Sequence, residues 1–329
     1  MNRVRELRVT LCGKEPDMQE NYDVLIVTTA KDYIRLQCNY PRLLRYMPGR
    51  RLLFVGNEEV GQLVAESGLG DQAGYLPEDE VLPFDAVHKV MQKALDREDV
   101  PRGVTGWYYQ QFLKMQYSVQ CKDEYYLMWD GDTVPCKPFS MFSQESGLPY
   151  LDLKHEYHEE YFRTLEKLLP GMHKCIEQSF ISEHMLINRE IMGNLIRDIE
   201  ANGQIPGETF YEKIIHAIPP DRLVSNSFSE FETYGTYVAF RRPMAYKLRT
   251  WNSFRYAGEF LDPSTIGDED YEWLGKSFDA LSFEKGHTVR PDHQNLFDNK
   301  EYQSKLSARQ MLEIAQEEFK DSYIEVWED

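Results

Sequence analysis

Residues Glu124 to Pro135 read EYYLMWDGDTVP, and the fold turns on how this stretch is parsed. An aromatic and aliphatic run, Tyr125 to Trp129, has the composition of a buried strand. Two aspartates, Asp130 and Asp132, follow it with one glycine between them. Carboxylates that close raise each other's energy unless a cation or a shared proton offsets the repulsion. A metal site, a covalent nucleophile with its acid partner, and a solvated Asp-Gly turn are therefore all open readings.

Upstream, Val24 to Thr28 (VLIVT) reads as a buried strand that ends in Thr28, Thr29 and Ala30. RLLFVGN, from Arg51 to Asn57, is a second strand followed by the helical pattern EEVGQLVAE, and a third unit starts at GYLPEDEVLP. This alternation predicts a parallel sheet with helices on its faces, whose functional loops lie beyond the carboxyl ends of the strands. A helix over residues 105–120 places Trp107, Gln111 and Lys114 on one face. Beyond residue 140 the expected elements are mostly helical. EEYFRTLEKLL stops at Pro170-Gly171, NREIMGNLIRDIEANG has Asn188 as N-cap and Gly203 as terminator, and ETFYEKIIHAI stops at Pro219. Helices over SEFETYGTYVAF and EDYEWLGKSF, a strand over DALSFE and a terminal helix over SARQMLEIAQEEF complete the reading. No repeat or linker divides the chain, so residues 1–329 are read as a single domain, with residues 20–140 and 141–329 as its two halves.

With 42% hydrophobic and 13% aromatic residues the 329-residue chain can build a large core. A net charge of −18 argues against broad attraction to nucleic acid or anionic lipid. The five cysteines are scattered without Cys-x-x-Cys spacing, which points to a reducing compartment. The N-terminal MNRVRELRVTLCG lacks the features of a signal peptide, and no apolar run is long enough to span a bilayer. The expectation is a cytoplasmic protein, with at most peripheral association at the inner face of the membrane.

The segments VLIVTTAKDY, GWYYQQFLKM, YYLMWDGDTVP, FISEHMLINREIM and FSEFETYGTYV, in this order, resemble GT-A glycosyltransferases, most closely a bacterial family of unknown function linked to surface polysaccharide synthesis. The likeness covers residues 20 to 290. It implies an α/β, GT-A-like fold: a Rossmann-like, mostly parallel sheet flanked by helices, with a helix-rich acceptor-side elaboration. The nucleotide and metal would belong to the N-terminal half and the acceptor to the C-terminal half. The implied activity is transfer of a sugar, of the hexosyl type, from a UDP- or GDP-linked donor to a glycan hydroxyl. By this resemblance Thr28, Thr29 and Lys31 line the nucleotide pocket, and Asp130 and Asp132 form the Asp-x-Asp motif for Mn2+ or Mg2+ and the diphosphate. Gln111 and Lys114 reach the donor, although Lys114 equally suits a role covering the sheet edge. His287, with His293 next, is the histidine that completes the metal shell.

An inverting transfer also needs a carboxylate to take the acceptor's proton. Glu230 is the preferred base and Glu232 the second candidate, because Ser229 and Glu232 have the spacing of a capping box. Glu183 and His184 are candidates for contact with the acceptor sugar, against the alternative of a buried structural histidine. Tyr234 and Trp251 are candidates for stacking on sugar rings. HEYHEE, from His155 to Glu160, reads as a solvated helix start, and GDEDYE, from Gly267 to Glu272, as an acid-rich helix N-terminus. Two rival functions stand beside the transferase. The first is a haloacid-dehalogenase-like phosphotransferase in which Asp130 attacks phosphorus and Asp132 serves as acid and base. Against it, that motif ordinarily closes the first strand of its domain. The second is a non-catalytic glycan- or nucleotide-binding protein.

Overall fold

The computed structural model describes residues 21–318. Residues 1–20, on which the leader reading rests, and Phe319 of the terminal helix lie outside them. The strands are β1 (Asp23–Val27), β2 (Arg51–Gly56), β3 (Ala73–Pro77), β4 (Tyr125–Trp129), β5 (Thr133–Pro135), β6 (Tyr150–Leu153), β7 (His184–Asn188), β8 (Lys247–Thr250), β9 (Ser253–Phe254) and β10 (Ala280–Ser282). The helices of the first half are α1 (Ala30–Leu36), α2 (Tyr40–Tyr46), α3 (Glu58–Glu66), α4 (Glu78–Val81), α5 (Phe84–Leu95) and α6 (Arg102–Gln120). Those of the second half are α7 (Glu159–Leu168), α8 (Arg189–Glu200), α9 (Phe210–Ala217), α10 (Glu230–Arg241), α11 (Asp268–Leu274), α12 (Pro291–Phe297), α13 (Lys300–Lys305) and α14 (Ala308–Glu318).

The central sheet has the order β3-β2-β1-β4-β7. Its first four strands are parallel, and β7 runs antiparallel to β4. Successive residues on a strand point to opposite faces, and here both faces are covered. Leu25, Leu53, Val55, Tyr126, Met128 and Ile187 enter one core, built against α5 through α10. Val24, Ile26, Leu52, Phe54, Leu127 and Trp129 enter the other, against α1 to α3, α11, α12 and α14. Double coverage is why these strands read as unbroken apolar runs rather than as alternating ones.

The chain leaves β1 toward β2 and β3 on one side, then returns to lay β4 on the other side of β1. A parallel sheet opens a crevice at such a reversal, beyond the carboxyl ends of the two central strands. Two smaller sheets, β5-β10-β9 and β6-β8, lie outside the central one. The expected α/β architecture, a mostly parallel sheet flanked by helices with a helix-rich second half, is the one observed.

Several expectations change. HMLIN is the antiparallel strand β7, and β5, β6, β8 and β9 are further short strands for which the sequence reading has no counterpart. The helix begun by Asn188 is correct, its side chain accepting from the Glu190 and Ile191 amides, but it ends at Glu200, before Gly203. Asn202, just past that end, donates to the carbonyls of Lys167 and Leu168 and so closes the end of α7 instead. Of HEYHEE only the last two residues are helical, since α7 begins at Glu159. GDEDYE is the N-terminus of α11, with Asp270 accepting from the Gly267 amide.

Candidate active site

Asp130, Gly131 and Asp132 form a turn closed by the Thr133 amide donating to the Asp130 carbonyl at 3.1 Å. The turn sits at the crevice between β1 and β4. A Cβ placed on Gly131 would lie 3.3 Å from Ile26 Cγ2 and 3.4 Å from the Val27 carbonyl oxygen, so the glycine lets the turn settle against the end of β1. Both aspartates are partly buried, which makes this a fixed turn rather than a solvated one. The Asp130 amide donates to the Glu183 carbonyl at 2.9 Å, and the Phe283 amide to the Asp132 carbonyl at 2.8 Å. Both neighbours come from the second half of the chain.

Thr28 is buried at the end of β1, its amide bonded to the Val55 carbonyl. Thr29 is the N-cap of α1, accepting from the Asp32 amide and donating from its hydroxyl to Asp32 Oδ2 at 2.7 Å. Lys31 is exposed in the first turn of the same helix. These three stand at the mouth of the crevice on the β1 side. Arg35, one turn further, pairs with Asp32 and donates to the Phe283 carbonyl, which ties α1 to the strand edge that holds Asp132.

Gln111 and Lys114 lie on one face of α6, as the spacing predicts, and both are buried. Their polar ends turn to α10. Gln111 accepts from the Glu230 amide at 3.1 Å and so satisfies one of the amides that every helix N-terminus leaves open. Lys114 Nζ lies 2.5 Å from Asp130 Oδ1 and 2.8 Å from Glu230 Oε1. Burial alone would lower the Lys114 pKa, but Asp130 and Glu230 outweigh it and hold the ammonium well above its ordinary value. Burial pushes the Glu230 carboxyl upward against the pull of Lys114. Asp132 is pushed up to about 7, first by burial and then by Asp130 and Glu284.

The two glutamates of α10 part company. Ser229 accepts from the Glu232 amide as the N-cap expectation requires, but the Glu232 carboxylate does not return to Ser229. It accepts instead from Ser179 Oγ and, at 3.3 Å, from the Phe180 amide, so the capping box is only half made. Glu230, through Lys114, is the glutamate connected to the aspartate pair.

Glu183 and His184 are buried structural residues in this arrangement. Glu183 has the left-handed backbone angle φ 61°, uncommon for a side chain of this kind, and both its oxygens are engaged, by Lys154 at 2.9 Å and Ser253 at 2.7 Å. His184 meets the Ser182 carbonyl through Nδ1 and Asp152 through Nε2, both at 2.8 Å. Asp152 is also held by Arg249 through two bonds. Burial would raise Asp152, yet Arg249 and His184 keep its carboxyl below the usual range. Tyr234 and Trp251 are buried in the two cores, so neither offers a free ring face to a sugar. The sequence reading missed Arg255, which pairs with Glu156 and Glu284 beside the aspartates. Local spacing carried no sign of it, because its partners are 99 and 29 residues away.

His287 stacks on Tyr256 and stands 4.0 Å from Glu259. Its buried Nδ1 has no hydrogen-bond partner among the described residues. His293 is stacked on Phe260 in the core, 4.1 Å between ring centres. The two carboxylates at the strand end, one raised chiefly by burial, are the oxygen donors a hard divalent cation takes, and the unpaired imidazole nitrogen of His287 lies on the loop that follows Phe283. Among the described residues the donors are not gathered into a ready three-ligand shell, so His287 and the aspartates do not meet as they stand.

Paired carboxylates in the reversal crevice of a parallel sheet define a candidate ligand-binding or catalytic α/β protein. The chain belongs to the family described as "Family of unknown function (DUF6492)", whose model matches residues 28–315. No curated protein matches it in sequence. Similar solved structures include mouse xyloside xylosyltransferase 1 in its apo form, at 12% identity and a TM-score of 0.43 over 82% of this chain and 100% of that one. The galactosyltransferase LgtC, in complex with donor and acceptor sugar analogs, is similar at 10% identity and a TM-score of 0.40 over 86% and 100%. The glycosyltransferase GlyE of Streptococcus pneumoniae TIGR4, in its apo form, follows at 10% identity and a TM-score of 0.35 over 91% and 64%. Values this low leave the chemistry to rest on the residues of this chain. Among the described residues no helix is long and apolar enough to cross a membrane.

Proposed function

We propose that the protein is a metal-dependent glycosyltransferase that moves a sugar from a nucleotide-diphosphate donor, UDP- or GDP-linked, to a hydroxyl of a glycan, in the cytoplasm and in the service of bacterial surface polysaccharide synthesis. The observation that carries this reading is the placement of Asp130 and Asp132 at the carboxyl end of β4, in the crevice beside β1. An acidic protein can dock a pyrophosphate there only with a counter-charge. Mn2+ or Mg2+ held by Asp130 and Asp132 would supply that charge and stabilise the leaving diphosphate.

The chain's own residues do the rest. Thr28, Thr29 and Lys31 flank the crevice on the β1 side, where a nucleotide entering it would lie. Glu230, raised by burial and linked to Asp130 through Lys114, accepts the proton of the incoming hydroxyl. Glu183 holds the Asp130 amide with its carbonyl, and Arg255 braces Glu156 against Glu284, so the second half of the chain fixes the turn that the first half presents.

Calorimetry with UDP, GDP and CMP, each with and without Mn2+, tests the reading. Binding of one nucleoside diphosphate that requires the metal supports it. Metal-independent binding of a glycan alone would point to a non-catalytic binder, and a phosphoryl group trapped on Asp130 would point to a phosphotransferase.

A further inference from the structure

Lys114 occupies the position from which a cation would be expected to act on Asp130. Its side chain is only 3% exposed, so water offers the ammonium little alternative to its two carboxylates. One is Asp130 at 2.5 Å and the other Glu230 at 2.8 Å, while the Phe231 ring lies 4.8 Å away. A divalent ion at Asp130 would face this ammonium across a few ångströms in a poorly hydrated site, where like charges repel far more strongly than in water. The ammonium's one way out of that repulsion is toward Glu230.

We infer that Lys114 is a resident counter-ion which competes with the divalent cation for Asp130, and that Glu230 is the carboxylate onto which it withdraws when the cation arrives. This rests on the metal-site reading of Asp130 and Asp132 given above. Cation loading and the hold on Glu230 are then one linked equilibrium, and any change at one end is felt at the other to the same degree. Glu230 is thereby a determinant of metal affinity although it is not a metal ligand.

The consequence is a pair of effects of opposite sign. Neutralising Glu230 leaves Lys114 with Asp130 alone and weakens cation binding. Removing the ammonium as well frees Asp130 and strengthens it. Mn2+ binding, followed by loss of the free-ion signal in electron paramagnetic resonance with MnCl2 alone, reads both without any turnover. The dissociation constant should rise by roughly fivefold or more in Glu230→Gln and fall by roughly tenfold in the double variant Lys114→Met/Glu230→Gln, the size expected for one nearby unit charge in a partly screened site. A double variant no tighter than wild type, or Glu230→Gln no weaker, overturns the inference while leaving the metal site intact. Glu230→Gln is isosteric, and a Glu230→Gln that binds Mn2+ no more weakly than wild type overturns the inference even if the double variant fails to fold. If neither wild type nor the double variant binds Mn2+ more tightly than Asp132→Asn, the metal-site reading itself falls, and the inference with it.

Discussion

Lys114 on α6 and Glu230 at the start of α10 lie 116 positions apart and meet at 2.8 Å in the interior. Through Asp130, the same lysine joins them to the turn at the end of β4. The contrast between Glu230 and its neighbour Glu232 follows from this bond. At saturating Mn2+, Glu230→Gln should lower the rate of sugar transfer by roughly 100-fold or more, the usual scale for a lost general base, with KM for the donor little changed. Glu232→Gln should leave transfer nearly intact and instead lower the melting temperature, since its carboxylate accepts from Ser179 and the Phe180 amide. Steady-state kinetics and thermal melts on the two variants check the split; equal losses of transfer would remove Glu230 from its role.

Asp132→Asn removes a carboxylate from a site that already holds Asp130 and Glu284 nearby. Metal-dependent nucleotide binding should disappear in calorimetry while the melting temperature stays at or above that of wild type. A marked loss of stability with retained binding would show the side chain to be structural.

The raised pKa of Asp132, about 7, carries a pH signature. The ordinary aspartate value is 3.8, so between roughly pH 4 and pH 7 the native state keeps a proton that the unfolded chain has released. The contribution of this group to stability therefore falls as pH rises through that window. Asp132→Asn should gain on wild type in thermal melts toward pH 7 and above, and the gap should close toward pH 4. Mn2+ binding by wild type should strengthen as pH rises through 7, because the carboxylate form is the ligand.

Asp152 anchors His184 and Arg249 at once, and its side chain is fully buried. Asp152→Asn leaves two cationic or polar partners without their anion and should destabilise the fold by about 3 kcal/mol or more, within the range for one-sided loss of a buried ion pair. Urea unfolding with an unchanged m-value checks this. The lowered pKa of Asp152 adds that this contribution is present above the ordinary aspartate range and is lost as pH falls below it.

Gly235, in the middle of α10, faces the Phe180 ring, and a Cβ there would lie 2.2 Å from Phe180 Cγ. Gly235→Ala should cost about 1–3 kcal/mol as an overpacked contact despite the better helix propensity of alanine. A gain in stability on denaturant titration would show that the ring has room to move.

The strands and helices that build the sheet were legible because their cause is local. VLIV, LLFVG and YYLMW lack charged residues because both faces are covered, and α6 shows its Gln111–Lys114 face because helical spacing is a property of consecutive residues. The same locality placed Asp130 and Asp132 at a strand exit and Ser229 before a helix. It failed at HMLIN, where an antiparallel edge strand is too short for periodicity to separate it from a helix.

By itself, then, the amino-acid sequence determined the class of fold, the position of the aspartate pair and the buried character of the chain that carries it, since these depend on side-chain type and near-neighbour spacing. Only the tertiary structure decided which glutamate of α10 turns to Lys114, that Glu183 and His184 are committed to Lys154, Ser253 and Asp152, and that Arg255 stands beside the aspartates. Those outcomes depend on where a side chain's charge finds its partner across a folded interior, and no local pattern encodes a bond between residues a hundred positions apart.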